Sequence, residues 1–398
     1  MQYRKMGSLD WEVSALGFGC MRLPSRKFSL MGADKEESKR IIRYGIDRGI
    51  NYIDTAWPYH LGESEKIVGE SLQDGYRERV KLVTKLPMFL VFRTSDFDRF
   101  LDVQLDRLQT DHIDIYLFHA LNKKTFERVK QLGLIEKMEL AKRQGRIRHI
   151  GFSFHDTFPV FKEIINYYDW DMAQIQYNYM DTCVQATTEG LEYAHSKGIA
   201  VVIMEPVKGG TLADPPREAA AVIEGAQIER TPVDWALQFL WNRPEVSTVL
   251  SGMSNFQQVM ENCDSAEISG VGLLIKDEIH IINQLAEIYQ QKILVPCTGC
   301  EYCLPCPQGV NIPQNFALLN NISLETGWRR RFQARRSFRK MASSVAQLDP
   351  ERPNGSALLC IDCGECLEKC PQEIAIPLEL ERVEAILENG EALEDHYG

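Results

Sequence analysis

The sequence predicts an α/β chain in which a closed (β/α)8 barrel is followed by a small, mainly helical, cysteine-rich domain. Three observations predict it. Eight short apolar or β-branched runs alternate with longer helical patterns up to about residue 290, polar and ionisable residues close those runs one after another, and eight of the eleven cysteines fall after residue 296. The 398 residues exceed the roughly 250 typical of such a barrel, which leaves room for a second domain. The expected boundary lies near 290, with 1–290 forming the barrel and 291–398 the tail.

The runs are Ala15 to Gly19, Asn51 to Ala56, Val80 to Leu86, Ile113 to Ala120, Ile147 to Phe154, Met172 to Asn178, Ile199 to Pro206 and Val246 to Met253. Between them lie amphipathic stretches such as Lys35 to Gly49, Glu63 to Leu72, Ser95 to Leu108, Thr125 to Gln144 and Gln185 to Lys197. Gly49, Gly145 and Gly198 each end a helical pattern just before a strand. The opening segment Tyr3 to Leu16, with Met6-Gly7-Ser8 as its turn, reads as a short hairpin that plugs one end of a barrel.

An open doubly wound sheet would give the same local alternation, so closure is argued from the run ends. Asp54, Lys85, His119, Ser153, Gln176 and Glu205 close successive runs, and Ser251 and Gly252 follow the last. Barrel enzymes build their sites at that end of their strands. One such residue alone is ordinarily a satisfied structural group; the whole series is hard to explain that way.

Composition narrows the function classes. The balance of 44% hydrophobic and 25% charged residues is globular, and no long uncharged apolar run is present to span a bilayer. The segment Met6 to Glu12 interrupts any apolar run before it could act as a leader, so a cytoplasmic location is expected. A net charge of -11 argues against non-specific nucleic-acid binding, since the phosphate backbone repels the molecule as a whole.

The stretch Gly49-Ile50-Asn51-Tyr52-Ile53-Asp54-Thr55-Ala56-Trp57-Pro58-Tyr59, then Thr84-Lys85, then Leu117-Phe118-His119, resembles the aldo-keto reductase family, and the resemblance covers residues 1 to 290. It implies a TIM barrel and NAD(P)H-dependent reduction of an aldehyde or ketone. By that match the catalytic tetrad falls on Asp54, Tyr59, Lys85 and His119, with the carbonyl of a small substrate between the tyrosine hydroxyl and the histidine imidazole. The residue types suit the task. A carbonyl receiving hydride gains negative charge on oxygen and needs a proton, and a phenol is a reluctant acid near neutral pH. An ammonium at Lys85 would favour the phenolate, with Asp54 keeping the lysine charged and oriented.

The resemblance also places the cofactor. Ser153 and Gln176 would meet the nicotinamide carboxamide, and Met204 stands where an aromatic ring usually stacks on it. Glu205, Val207, Lys208 and Gly209 would lie along the pyrophosphate, and Ser251, Gly252, Ser254, Gln258, Glu261 and Asn262 at the adenine end. The chain departs from the pattern twice. Phe154-His155-Asp156 follows Ser153 where many members have asparagine, and no Lys or Arg occurs between Arg243 and Lys276 to meet a 2'-phosphate. NADH and NADPH both remain open.

The tail carries Cys297-x-x-Cys300-x-x-Cys303-x-x-Cys306-Pro307 and Cys360-x-x-Cys363-x-x-Cys366-x-x-x-Cys370-Pro371. The second run reproduces the bacterial ferredoxin spacing, in which three thiolates wrap one 4Fe-4S cluster and the fourth, beside proline, ligates another. Crossed ligation then gives Cys297, Cys300, Cys303 and Cys370 to one cluster and Cys360, Cys363, Cys366 and Cys306 to the other. The spacing also permits a pair of four-cysteine zinc sites. Cys20, Cys183 and Cys263 stand outside these motifs and are assigned no role.

Between the motifs lie residues of helical composition, similar to the helical ferredoxin modules of respiratory complexes. They include the basic run Arg329 to Lys340, which reads either as a solvated helix face or as a docking patch for an acidic redox partner protein. Nicotinamide exchanges a hydride whereas each cluster passes single electrons, so the clusters are expected to be structural or to serve a separate path. No Gly-rich fingerprint marks a flavin site. A competing reading is an iron-sulfur electron-transfer or redox-sensing protein whose barrel binds nicotinamide without carbonyl turnover.

Overall fold

A computed structural model describes residues 1–25, 32–324, 328–344 and 355–397. Its strands are β1 (Tyr3–Lys5), β2 (Glu12–Ser14), β3 (Leu16–Gly19), β4 (Tyr52–Asp54), β5 (Lys81–Leu86), β6 (Ile113–Leu121), β7 (Ile147–Phe154), β8 (Met172–Gln176), β9 (Ala200–Met204) and β10 (Val246–Ser251). The last eight, one from each apolar run, close into a parallel barrel. Each pairs with its sequence neighbour, and β10 returns to β3 through Val249↔Leu16 and Ser251↔Phe18.

Alternation along the strands divides the core in two. Ile53, Leu82, Leu86, Tyr116 and Phe118 join the large cluster that includes apolar residues of the surrounding helices. Tyr52, Val83, Ile115, Leu117, Met172, Ala200, Val202 and Leu250 form the inner cluster, together with Met6 and Val13 of the amino-terminal hairpin. β1 and β2 pair antiparallel through Tyr3↔Ser14 and Lys5↔Glu12. The plug inferred from the sequence is thus a hairpin whose two buried apolar side chains belong to the barrel interior.

One helix departs from expectation. The stretch Thr125 to Gln144 is two helices, Lys123–Gln131 and Leu134–Arg143, broken at Gly133, whose φ of +59 no right-handed helix accommodates. The first begins earlier than expected because Asn122 caps it, accepting from Thr125 N–H at 2.9 Å while Thr125 Oγ1 accepts from Asn122 N–H at 2.8 Å.

The chain divides into two compact units, Met1–Val207 with Val233–Ile279, and Lys208–Pro232 with His280–Gly398. The expected boundary at 290 falls inside the helix Lys276–Lys292. Within the second unit, Lys292 Nζ bonds Glu218 Oε1 at 3.0 Å and ties residues 208–232 to the end of that helix. Helices Ile312–Leu324, Trp328–Ser344 and Ile376–Glu384 contribute Phe316, Leu319, Phe338, Leu380 and Val383 to a separate core. Among the described residues no helix is long and apolar enough to cross a membrane.

Gly7 turns the plugging hairpin with φ +57, and a Cβ there would meet Ala200 N at 2.5 Å and Gly198 O at 2.6 Å. Gly75 has φ +82 and open space around it. Gly7→Ala should therefore cost about 2–3 kcal/mol and Gly75→Ala about 1 kcal/mol, compared by urea denaturation of the two variants.

Candidate active site and cysteine centre

The side chains that close the barrel strands converge at one mouth. Asp54 ends β4 and Lys85 lies near the end of β5, on the adjacent strand. Lys85 Nζ bonds Asp54 Oδ1 at 2.7 Å, Asp54 Oδ2 at 2.8 Å and the Thr55 carbonyl at 2.8 Å, three acceptors for an ammonium with three protons. Lys85 is 1% exposed and Asp54 2%. Burial raises the Asp54 carboxyl above its ordinary value, and the Lys85 charge opposes that rise without cancelling it.

Tyr59 opens the tight turn Tyr59–Gly62 immediately beyond β4. His60, Leu61 and Gly62 have φ of 51, 57 and 89, so three successive residues are left-handed, two of them non-glycine. His60 helps hold the turn, its Nε2 accepting from Leu23 N–H at 3.1 Å. The turn sets the Tyr59 ring 5.1 Å from Lys85 Nζ and 6.1 Å, edge-on, from the ring of His119 on β6. All four sequence-predicted residues are thereby brought together. His119 is 4% exposed, and burial first, then Lys85, then His155 push its proton affinity well below the ordinary histidine value. Its imidazole is neutral at physiological pH.

Farther around the mouth, Ser153 Oγ accepts from Ala120 N–H at 2.8 Å, which leaves the hydroxyl proton for an acceptor. Gln176 donates to Asp181 Oδ2 at 2.9 Å and accepts from Gln185 Nε2 at 3.3 Å. Asn178 continues the network, donating to the same Asp181 oxygen at 3.1 Å and to the Glu205 carbonyl at 3.1 Å. Met204 receives a 3.8 Å contact at sulfur from Gln174 Nε2. His155 stands where the sequence departs from the family pattern; burial takes it down to about 4, against its hydrogen bond to Gln185 and with the charge of Lys85. Gln185, Asp181 and Asn178 were not foreseen, because only the loop after β8 brings them to Gln176.

The adenine-end segment is ordered by its own bonds. Asn262 Nδ2 donates to Ser251 Oγ at 3.0 Å, Gln258 Oε1 accepts from Ser254 N–H at 2.8 Å, and Asn255 caps the helix Phe256–Glu267. Gly252 is exposed and lies against the stem of Arg22, 3.4 Å from Cβ and Cδ by the position a Cβ would take. A cationic residue therefore accompanies a segment whose own sequence has none. Val207 ends the first unit; Lys208 and Gly209 open Lys208–Ala213 in the second, with φ of 46 and 64.

In the tail the eight cysteines sort into two neighbourhoods. Burial, then Cys300, Cys297 and Cys370, raise the Cys303 thiol, while burial, Cys360, Cys306 and Cys363 push Cys366 up to about 11 against its backbone hydrogen bond. Cys303 thus has Cys297, Cys300 and Cys370 for neighbours, and Cys366 has Cys306, Cys360 and Cys363. Gly299 N–H also donates to Cys297 Sγ at 3.4 Å. Among the described residues no three His, Cys, Asp or Glu side chains are drawn together tightly enough to hold a single metal ion, so the grouping rests on these neighbourhoods. The basic run lies on Trp328–Ser344, which buries Ala334, Phe338 and Met341 and exposes Arg331, Arg336, Arg339 and Lys340 with Phe332. The side chains of Arg329 and Arg330 lie outside the described residues.

A family model described as the aldo/keto reductase family matches residues 15–287, and one described as a 4Fe-4S dicluster domain matches residues 296–375. The chain is 27% identical over 295 residues to L-galactose dehydrogenase of Arabidopsis thaliana, covering 69% of this chain and 91% of that one. It is 29% identical over 224 residues to NADH-specific methylglyoxal reductase of Escherichia coli, covering 52% and 68%. The holo form of an aldo-keto reductase from Bacillus halodurans superposes with a TM-score of 0.61 at 28% identity, covering 72% of this chain and 96% of that structure.

His119 and His155 both have folded-state proton affinities below the unfolded value, so the unfolded chain binds protons first on acidification. The fold should lose stability as pH falls from the ordinary histidine value of about 6.5 toward about 4. Replacing His155 with Gln should flatten part of that slope in urea titrations across this window.

Proposed function

The chain belongs to the aldo/keto reductase family and carries a 4Fe-4S ferredoxin-type domain, and from these premises we propose that it reduces the carbonyl of a small aldehyde or ketone to an alcohol at the barrel mouth, within 1–290, with NAD(P)H. The observation that carries this reading is the Lys85 ammonium, fixed by Asp54 and poised 5.1 Å from the Tyr59 ring.

Reduction requires a hydride at carbon and a proton at oxygen. Reduced nicotinamide supplies the hydride when bound. Tyr59 would give its phenolic proton to the carbonyl oxygen as charge develops there, and the phenolate would recover a proton from solvent after turnover. Lys85 stabilises the phenolate through its field, and Asp54 keeps that charge in place in a site where burial would otherwise disfavour it. Neutral His119 orients the carbonyl by donating an N–H hydrogen bond to its oxygen, which strengthens as the oxygen becomes anionic.

The residues present fit the dinucleotide: the Ser153 hydroxyl proton suits a carboxamide oxygen, Gln176 is oriented by two partners, and the segment Ser251 to Asn262 is pre-ordered. In 291–398 the two thiol foursomes fit two 4Fe-4S clusters, Cys297, Cys300, Cys303 and Cys370 holding one and Cys360, Cys363, Cys366 and Cys306 the other. Their role would be structural or one-electron transfer, and the exposed basic face of Trp328–Ser344 would receive an acidic redox partner.

Tyr59→Phe should lower kcat by about 10²–10⁴-fold with NAD(P)H affinity retained, read by steady-state rates and fluorescence titration; undiminished turnover would remove Tyr59 as donor. Cys363→Ala should lower bound iron and sulfide by about half while carbonyl reduction persists, measured on anaerobically purified protein.

A further inference from the structure

Behind the site lies a buried polar cluster that the catalytic reading leaves unexplained. Glu65, on the helix Glu63–Ser71 that follows the Tyr59 turn, is a carboxylate with no exposed surface. Its Oε2 accepts from Arg107 Nη1 at 3.0 Å, and its Oε1 accepts from Thr84 Oγ1 at 2.7 Å and from Gln104 Nε2. Gln104 also donates to the Lys85 carbonyl at 3.1 Å and accepts from the Tyr116 hydroxyl at 2.7 Å. Both oxygens of one carboxylate are thus spent on two different elements.

One of them, β5, carries Lys85; the other, the helix Asp96–Leu108, packs through Arg107 against the segment that carries Tyr59. Arg107 lies with its guanidinium carbon 3.9 Å from the centroid of the Trp57 ring, and a Cβ on Gly62 would come within 3.2 Å of its Nη1. Trp57 and Gly62 bracket Tyr59. Trp57 is pressed from another side by Phe100, 4.8 Å away and edge-on. Thr84 and the Lys85 carbonyl belong to β5, the strand from which Lys85 reaches Asp54. A carboxylate buried without water must satisfy its charge with fixed donors, and donors that fix it are fixed by it in turn.

We infer that Glu65, with Arg107 and Gln104, is a positioning clamp that sets the separation of the Tyr59 phenol from the Lys85 ammonium and so sets the proton affinity of the phenol. The inference rests on the reading of Lys85 and Tyr59 as a coupled pair. Glu65 touches neither substrate nor cofactor. It acts by holding the left-handed turn at one end, through Arg107, and the strand bearing Lys85 at the other. Loosening either hold lets the phenol drift from the ammonium, and the attraction between an ammonium and a phenolate weakens with distance.

The test compares full-length Glu65→Gln, Arg107→Met and Arg107→Lys with the parent and with Tyr59→Phe. Phenol ionisation is read as ultraviolet difference absorbance against Tyr59→Phe, and turnover is followed from neutral to alkaline pH. Glu65→Gln and Arg107→Met should raise the Tyr59 ionisation by about one pH unit. They should lower kcat by about 10- to 100-fold with cofactor affinity kept, and move the alkaline limb of kcat/KM upward by the same interval. Arg107→Lys, which keeps the charge but not the planar contact with Trp57, should fall between. Folded variants whose phenol titrates as in the parent overturn the clamp, as does activity lost only in proportion to unfolded protein. Should Glu65→Gln not fold, Gln104→Met answers the same question from the β5 side. If Tyr59→Phe keeps its turnover, the proton-donor reading fails on its own, and the absorbance titration still decides the clamp.

Discussion

The barrel mouth depends on one buried ion pair. Lys85 and Asp54 stand on adjacent parallel strands, and each is almost wholly removed from water. Burying two charges costs several kcal/mol each, and their mutual attraction offsets that cost only with good geometry and further hydrogen bonds. Here the carboxylate accepts twice and the Thr55 carbonyl takes the remaining direction, so the ammonium is satisfied without solvent. The rise in the Asp54 proton affinity shows that desolvation still weighs against the pair. Such an arrangement is poor evidence for stability and good evidence that a charge is needed at that point. Closure of the sheet makes it available, because the strand ends then surround a common axis.

Much of this was legible in the sequence because its signals are local. Each strand appears as a short apolar run, and the polar residue that ends it sits within two positions of the observed strand end for Asp54, Lys85, His119, Ser153, Gln176 and Ser251. The 4Fe-4S domain was legible for the same reason, since its cysteine spacing is local. What was not legible is set by distance along the chain. Arg22 meets Gly252 only because β3 pairs with β10, and Glu65 reaches Thr84 and Arg107 only after a helix and a strand have packed. The break at Gly133 was hidden because a lone glycine fits a helix interior as well as a helix stop, and only the sign of its φ separates the two cases.

The second unit follows different rules from the first. Its core is small, and among the residues grouped with it are Cys297, Cys303, Cys306, Cys360, Cys366 and Cys370. Burial raises the proton affinity of Cys303, Cys366 and Cys370, so these thiols stay protonated until a cation that binds them displaces their protons. The basic helix adds positive charge to a domain whose clusters would be anionic, in a chain that is acidic overall.

The amino-terminal hairpin gives the barrel a floor. Met6 and Val13 have no exposed surface, and their neighbours in the inner cluster include Tyr52, Val83 and Leu117, directly below the ion pair. A barrel packed from that side can be approached only from the other. Any small molecule that reaches the strand ends bearing Asp54, Lys85 and His119 must arrive and leave on that side. Traffic through one portal is sequential, so whatever lies deepest must arrive first and depart last.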